Sequence, residues 1–315
     1  MNEKKLLEIL NKLEQKYDSE GQNLESYLEG LYEADYLNYW DYIHLDTLLS
    51  LQVKRTSQPD EEIFIIYHQV TELFFRLIMV ELEQICQDSE YSVTAAENRL
   101  RRINRYFRNL IQSFSIMSEG LDPVQFMRFR MALFPASGFQ SVQYRTIELL
   151  CTSTDNLIDY GHRAHHHSSS LEEKMAALYW RSGATDTFTG KKTLTLSRFE
   201  EKYDAFLLEF ARKHQSASLN SLIESGKWGN LLPDSLQEQL RALDMNANLA
   251  WRKAHLQSAS RFLKKPDAAV EGTGGTNWQK YLPPKFQRIV FFPTLWKEEE
   301  LENWGRQVDG EQAQG

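Results

Sequence analysis

The chain has 315 residues, 42% of them hydrophobic and 25% charged, the balance of a globular protein with enough apolar material for a real core. A formal net charge of −8 excludes a general nucleic-acid or membrane-surface binder, which would need a basic face. The two cysteines, Cys86 and Cys151, stand in no metal-ligand or CxxC spacing and read as buried free thiols in a reducing compartment.

Helical periodicity dominates from the start. "LLEILNKLEQKY", residues 6–17, repeats apolar positions at three and four, and its flanking mixed charge is unlike the apolar core of a signal peptide. "YWDYIHLDTLLSLQ", residues 39–52, reads as a second helix. The segment from Glu61 to about Gln87 is apolar on most of its circumference, as a helix at the centre of a bundle is. No run approaches about 20 consecutive apolar residues, so a cytoplasmic protein is expected. Residues 95–121 give another long helix, and Pro123 then stands where a first-turn proline belongs, opening "PVQFMRFRMALF". Further helices are expected in "SLEEKMAALYWRSG" (170–183), in 196–215 and in 234–265, the last with Asp234 as its N-cap. The only β-like fragments, "KTLTL" and "RIVFF", are short. These elements predict an all-α fold, a large helical bundle in one domain over 1–315. It carries a helical insertion at about 170–230 and a frayed polar tail at 306–315.

Several residues in this frame could carry chemistry. His68 lies in the apolar run "IFIIYHQVTELFF" and shares a helix face with Phe64, Glu72 and Phe75. An imidazole there could be a ligand to metal, a general base, a hydrogen-bond partner for a bound molecule, or a core histidine satisfied by Glu72 or a carbonyl. His255 lies in "WRKAHLQSASRF" with Trp251, Ala259 and Phe262 on its face. The small residues Ala254, Ser258 and Ala259 beside it leave room for a flat ligand. Phe126 and Arg130 are four apart on one face, and a buried arginine facing a pocket is a fork for a carboxylate. "EGTGGT", residues 271–276, has no nucleotide-binding frame, but its glycines permit close backbone approach to a ligand and Thr273 adds a hydroxyl. "HRAHHHSSS", residues 162–170, has neighbouring histidines that point in different directions and reads as a solvated loop.

Taken together, "YWDYIHLDTLLSLQ", "DEEIFIIYHQVTELFF", "DPVQFMRFRMALFPASGFQSVQYR", "WRKAHLQSASRFL" and "EGTGGT" resemble the tryptophan 2,3-dioxygenase family in order, over residues 39–276. The resemblance implies an all-α homotetramer in which the N-terminal segment of one subunit closes its neighbour's active site. It implies that L-tryptophan and O2 react to give N-formylkynurenine, the first step of tryptophan catabolism. The cofactor implied is haem b in its ferrous form, held non-covalently since no CxxCH occurs. Residue by residue, His255 resembles the axial ligand of the haem iron and His68 the distal histidine that accepts a hydrogen bond from the indole N–H. Phe64 and Phe126 correspond to residues lining the indole pocket. Arg130 corresponds to the arginine that grips the substrate carboxylate, and Thr273 to the loop threonine at the amino-acid end. Tyr39, Tyr42 and Ile43 correspond to the segment donated by the adjacent subunit.

Three departures stand against the family pattern. Phe74 replaces a common Trp, "KKPDAAVE" lengthens the stretch after His255, and "NWQKYLPP" follows the glycines where the family has "SGYHYL". That loop belongs to the amino-acid end of the substrate. A monooxygenase acting on a substituted tryptophan or indole is therefore one alternative, and a haem or gas sensor without turnover is another.

Overall fold

The computed structural model describes residues 2–166, 168–185, 189–229, 231–263 and 283–306, and divides into two compact units, Met1–Val53 and Lys54–Gly315. The all-α expectation holds: the described residues contain helices and two isolated bridges but no strand.

In the first unit, α1 (Glu3–Ser19) and α2 (Leu24–Tyr32) start on asparagine caps, Asn2 accepting from Lys4 N at 3.2 Å and Asn23 from Ser26 N at 2.9 Å. The single helix expected over 39–52 is instead two short ones, α3 (Tyr39–Tyr42) and α4 (Leu45–Leu48). His44 between them sits at φ +51°, in the left-handed region, where a right-handed helix cannot continue. None of the described residues up to Val53 is buried, so Leu7, Leu31, Trp40 and their apolar neighbours stand open in the single chain.

The second unit holds the core. α5 (Asp60–Cys86) opens with Asp60, Glu61 and Glu62, acids that suit the positive end of the helix dipole. Glu61 is fully buried, and its carboxylate accepts from the backbone N–H groups of Arg55 and Thr56, both at 2.7 Å. By length and composition α5 could cross a membrane. Its inner face, however, buries Phe75, Ile78, Met79, Leu82 and Ile85 in one cluster with α6 (Val93–Ser118). α7 (Pro123–Phe129) has Pro123 in its first turn, and Asp122 caps it by accepting from Val124 N at 2.7 Å and Gln125 N at 3.1 Å. A 3-10 turn over Arg130–Leu133 and another over Gly138–Gln140 lead into α8 (Val142–Cys151), buried from Tyr144 onward.

Short α9 (Thr154–Leu157), α10 (Leu171–Ala176) and α11 (Tyr179–Ser182) precede α12 (Leu194–His214) and α13 (Leu219–Glu224). The segment read as an insertion shares the main core, since Met175, Trp180, Phe199 and Leu222 pack in the same cluster as α5, α6 and α8. "KTLTL" is a helix start, with Thr193 capping Leu196 N at 3.2 Å.

α14 (Asp234–Met245) is preceded by Pro233 at the cap position, which puts Asp234 inside the first turn rather than at the cap. A π-helical turn, Asn246–Ala250, then separates α14 from α15 (Trp251–Leu263), so the stretch read as one helix changes pitch before His255. "RIVFF" is not a strand: it starts at Arg288 in the left-handed region (φ +46°) and runs as irregular chain whose Phe291 and Phe292 N–H groups donate to the buried Asp244 carboxylate at 2.9 and 3.1 Å.

Candidate active site

A cavity of about 550 Å³ opens between α5, α6, α7, α8, α11 and α15, within the range of small-molecule and cofactor sites. Its walls are rich in aromatic rings, among them Phe64, Tyr67 and Phe75 from α5, Phe114 from α6, Phe126 from α7, and Trp251 and Phe262 from α15. Helical spacing explains the α15 wall, because Trp251, His255, Ser258, Ala259 and Phe262 recur at three and four and so share one face.

His68 stands in this lining one turn after Phe64, their ring centroids 4.1 Å apart. Its Nδ1 lies 2.7 Å from the Phe64 carbonyl oxygen. A carbonyl only accepts, so Nδ1 carries the proton and Nε2 is left as the acceptor. Of the two partners anticipated for a core histidine, the carbonyl is the one present, while Glu72 is turned to Gln143, which donates to its carboxylate at 2.8 Å. Burial lowers the His68 pKa, and the Phe64 carbonyl and the Glu72 charge oppose the shift.

His255 lines the same cavity from α15, its ring stacked near that of Phe114 with centroids 5.9 Å apart. Burial first, and the nearby His68 second, push its pKa down to about 4. At neutral pH the ring is therefore uncharged, with a lone pair to donate. Gly138 borders this imidazole: a β-carbon there would sit 3.2 Å from His255 Cε1 and 3.8 Å from Nε2. The "SG" of "PASGFQ" keeps that edge of the ring uncovered.

A polar network underlies another part of the wall. Glu148, 1% exposed, accepts from Tyr179 Oη at 2.5 Å and Arg252 Nη2 at 3.4 Å, and pairs with Arg145 Nη1 at 3.0 Å. Arg252 Nη2 also donates to Asn248 at 3.2 Å, and Asn248 donates to Asp244 at 2.8 Å. Asp244 accepts from Trp296 Nε1 at 3.0 Å as well, yet burial still pushes its carboxyl up to about 6. The network fastens the π-turn and the first turn of α15, and so fixes the helix that carries His255.

Of the residues singled out in the sequence, the structure places His68, Phe64, Phe126 and His255 in the lining of one cavity. Arg130 is buried directly after α7, where burial lowers its pKa, but it is not among the described residues lining the cavity. Thr273, with the whole of "EGTGGT" and "NWQKYL", lies outside the described residues, as does the tail beyond Arg306. Tyr39 and Tyr42 belong to α3, each 72% exposed, and Ile43 is its C-cap residue.

The histidine-rich stretch, read as a loop, forms a 3-10 turn over Arg163–His166 with no buried residue, and His162 lies beside Asp159 at 3.2 Å; the described residues contain no cluster fit for a metal ion. Both cysteines are free, and burial pushes the Cys86 thiol up to about 12. The sequence reading missed Tyr144, Arg145, Glu148, Tyr179 and Arg252. The signal was present in "YRTIE" and "WRK", where charges interrupt otherwise apolar faces of core helices.

Fold and site together define an all-α protein with a ligand cavity lined by two histidines whose pKa values are lowered. The family profile for tryptophan 2,3-dioxygenase matches residues 29–224, a span that includes His68 and Arg145 and ends before His255. Among its relatives, three proteins named tryptophan 2,3-dioxygenase, each 30% identical to this chain, illustrate the match. That of Ruegeria sp. (strain TM1040) aligns over 273 residues, 84% of this chain and 92% of its own length. The Pseudomonas fluorescens protein aligns over 268 residues, 84% and 90%, and the Herpetosiphon aurantiacus protein over 267, 82% and 96%. The chain belongs to the tryptophan 2,3-dioxygenase family.

Proposed function

We propose that this chain cleaves the C2–C3 bond of the indole ring of L-tryptophan with O2, giving N-formylkynurenine, in the cytoplasm, and that it does so with a haem b held non-covalently by His255. The observation that carries the reading is the pair of imidazoles on α5 and α15, both with pKa values lowered by burial, in the walls of one aromatic cavity. The residues fit such a group. His255 offers a neutral nitrogen donor, Gly138 leaves its edge uncovered, and Ser258 and Ala259 leave the adjacent helix surface low for a flat macrocycle. A bound haem supplies the oxygen chemistry.

The protein's own part is to bind and orient. His68 Nε2, free to accept because Nδ1 is bonded to Phe64, takes the indole N–H. Phe64 and Phe126 pack on the indole, which holds the reacting edge in place and keeps water away. Arg130 grips the substrate carboxylate, and Thr273 assists at the amino-acid end. His68 orients the substrate through its hydrogen bond and is not required to remove a proton.

The same reading includes a homotetramer in which Tyr39, Tyr42 and Ile43 close a neighbour's site. Two features support self-association. The first unit has no buried residue among those described. On α5, Ile63, Ile66, Val70, Leu73, Leu77 and Val80, each between 37% and 53% exposed, recur at alternating three- and four-residue spacing, the seam of a helix that meets another helix.

Two variants test the assignment of sides. His255→Ala is expected to lose most haem, read from the Soret band after gel filtration, whereas His68→Ala keeps haem and has lower turnover. Full haem content and normal turnover in His255→Ala would refute the axial assignment, and haem loss confined to His68→Ala would reverse the two roles.

A further inference from the structure

Arg145 lines the cavity from α8 and is 6% exposed. A guanidinium has five N–H donors. Here Nη1 donates to Tyr179 Oη at 2.9 Å and lies 3.0 Å from Glu148 Oε2. Nε has no hydrogen-bond partner, and among the described residues Nη2 has none either. Nε–H and Nη2–H form the parallel pair that grips a carboxylate through two bonds at once.

The ring contacts leave that edge unclaimed, because the Tyr144, Tyr179 and Trp180 rings approach the guanidinium carbon at 4.9, 5.6 and 5.7 Å through their faces. Arg252, the other cation in the wall, also has an unbonded Nε, but both of its Nη groups are engaged, so it offers no two-bond edge. Its Nη1 is bonded to Gln287 and its Nη2 to Tyr179, Asn248 and Glu148. The charge balance agrees, since two buried guanidiniums share one directly bonded carboxylate, Glu148, and Asp244 reaches Arg252 only through Asn248. An unmatched cation in such a place favours an anion.

We propose that Arg145 is a carboxylate-binding residue of this cavity, its Nε/Nη2 edge holding an acid group of a bound molecule. The proposal rests on the haem-and-tryptophan reading, which brings two sources of that group, a haem propionate and the amino-acid carboxylate, the latter then shared with Arg130.

The test titrates haem-free protein with protohaem and with its dimethyl ester, following the Soret band. It then titrates the ferric loaded protein with L-tryptophan and with tryptamine, which lacks the carboxylate. Wild type, Arg145→Gln and Arg145→Lys are compared, with far-UV circular dichroism reporting the fold. If Arg145 holds a propionate, Arg145→Gln weakens protohaem binding roughly tenfold or more and leaves the ester unchanged. If it holds the substrate, haem affinity stays and the preference for tryptophan over tryptamine falls by a similar factor. Arg145→Lys, a point charge in place of a fork, falls between.

Both preferences surviving intact in either folded variant would overturn the proposal. So would a wild-type protein with no preference for the acid over the ester and none for tryptophan over tryptamine, a result that needs no variant. A wild-type protein that binds no haem at all would instead sink the functional reading beneath it.

Discussion

Removing the Glu148 carboxylate should unsettle the site from below. Glu148 is 1% exposed and is the carboxylate bonded directly to both Arg145 and Arg252, besides accepting the Tyr179 hydroxyl at 2.5 Å. Glu148→Ala leaves two buried guanidiniums and a phenol hydroxyl short of an acceptor. Breaking a buried ion pair from one side costs about 3–5 kcal/mol. Glu148→Gln keeps the volume and one acceptor oxygen and loses the charge, so about 2 kcal/mol is expected, about 1 for each of the two guanidinium bonds that turns neutral. Set against a usual total of about 5–15 kcal/mol, the alanine change removes a large share of the stability. Urea denaturation of the haem-free protein at pH 7 and one fixed protein concentration measures this, because self-association would otherwise move the midpoint. The account predicts a lower midpoint with an unchanged slope, larger for Ala than for Gln. A loss under about 1 kcal/mol for Glu148→Ala would show that the network is relaxed by water or rearrangement and does not brace α15.

Three further outcomes are expected. Asp244 has its folded pKa raised from 3.8 to about 6, so the folded state holds a proton that the unfolded state has released. This group's contribution therefore falls by about 3 kcal/mol as pH rises from 4 to 6, at about 1.4 kcal/mol per unit. The stability difference between wild type and Asp244→Asn should shift by that amount across the window, and a difference constant with pH would refute the burial argument. Leu73→Glu with Leu77→Glu should lower the mass found by sedimentation, since two charges would enter the exposed α5 seam, and an unchanged mass would clear that seam of any role in assembly. Arg130→Lys should raise KM far more than it lowers kcat, because an ammonium cannot reproduce the two-bond fork, and an unchanged KM would remove Arg130 from the site.

Much of the fold is written in helical period, because a core-facing stripe at three and four is a local property. That is why α5, α6, α12 and α15 were legible, and why His68 and His255 could be assigned faces before any coordinates. The breaks were less so. His44 turns left-handed within an otherwise helical pattern, and the π-turn before α15 inserts no residue type that announces it. The Arg145–Glu148–Tyr179–Arg252 network joins α8, α11 and α15 through bonds between residues up to 104 positions apart, so no window of sequence holds it. The exposed α5 seam hid for the opposite reason. A helix apolar on most of its circumference reads as buried all round, and only the packed structure separates the side covered by this chain from the side left open.

The most direct measurement of the central claim is the product made by haem-loaded, dithionite-reduced protein given L-tryptophan under 18O2. The account predicts N-formylkynurenine, followed by its absorbance and its mass, with two labelled oxygen atoms in each molecule. A product carrying one labelled oxygen atom, or no product despite a full haem spectrum, would contradict it.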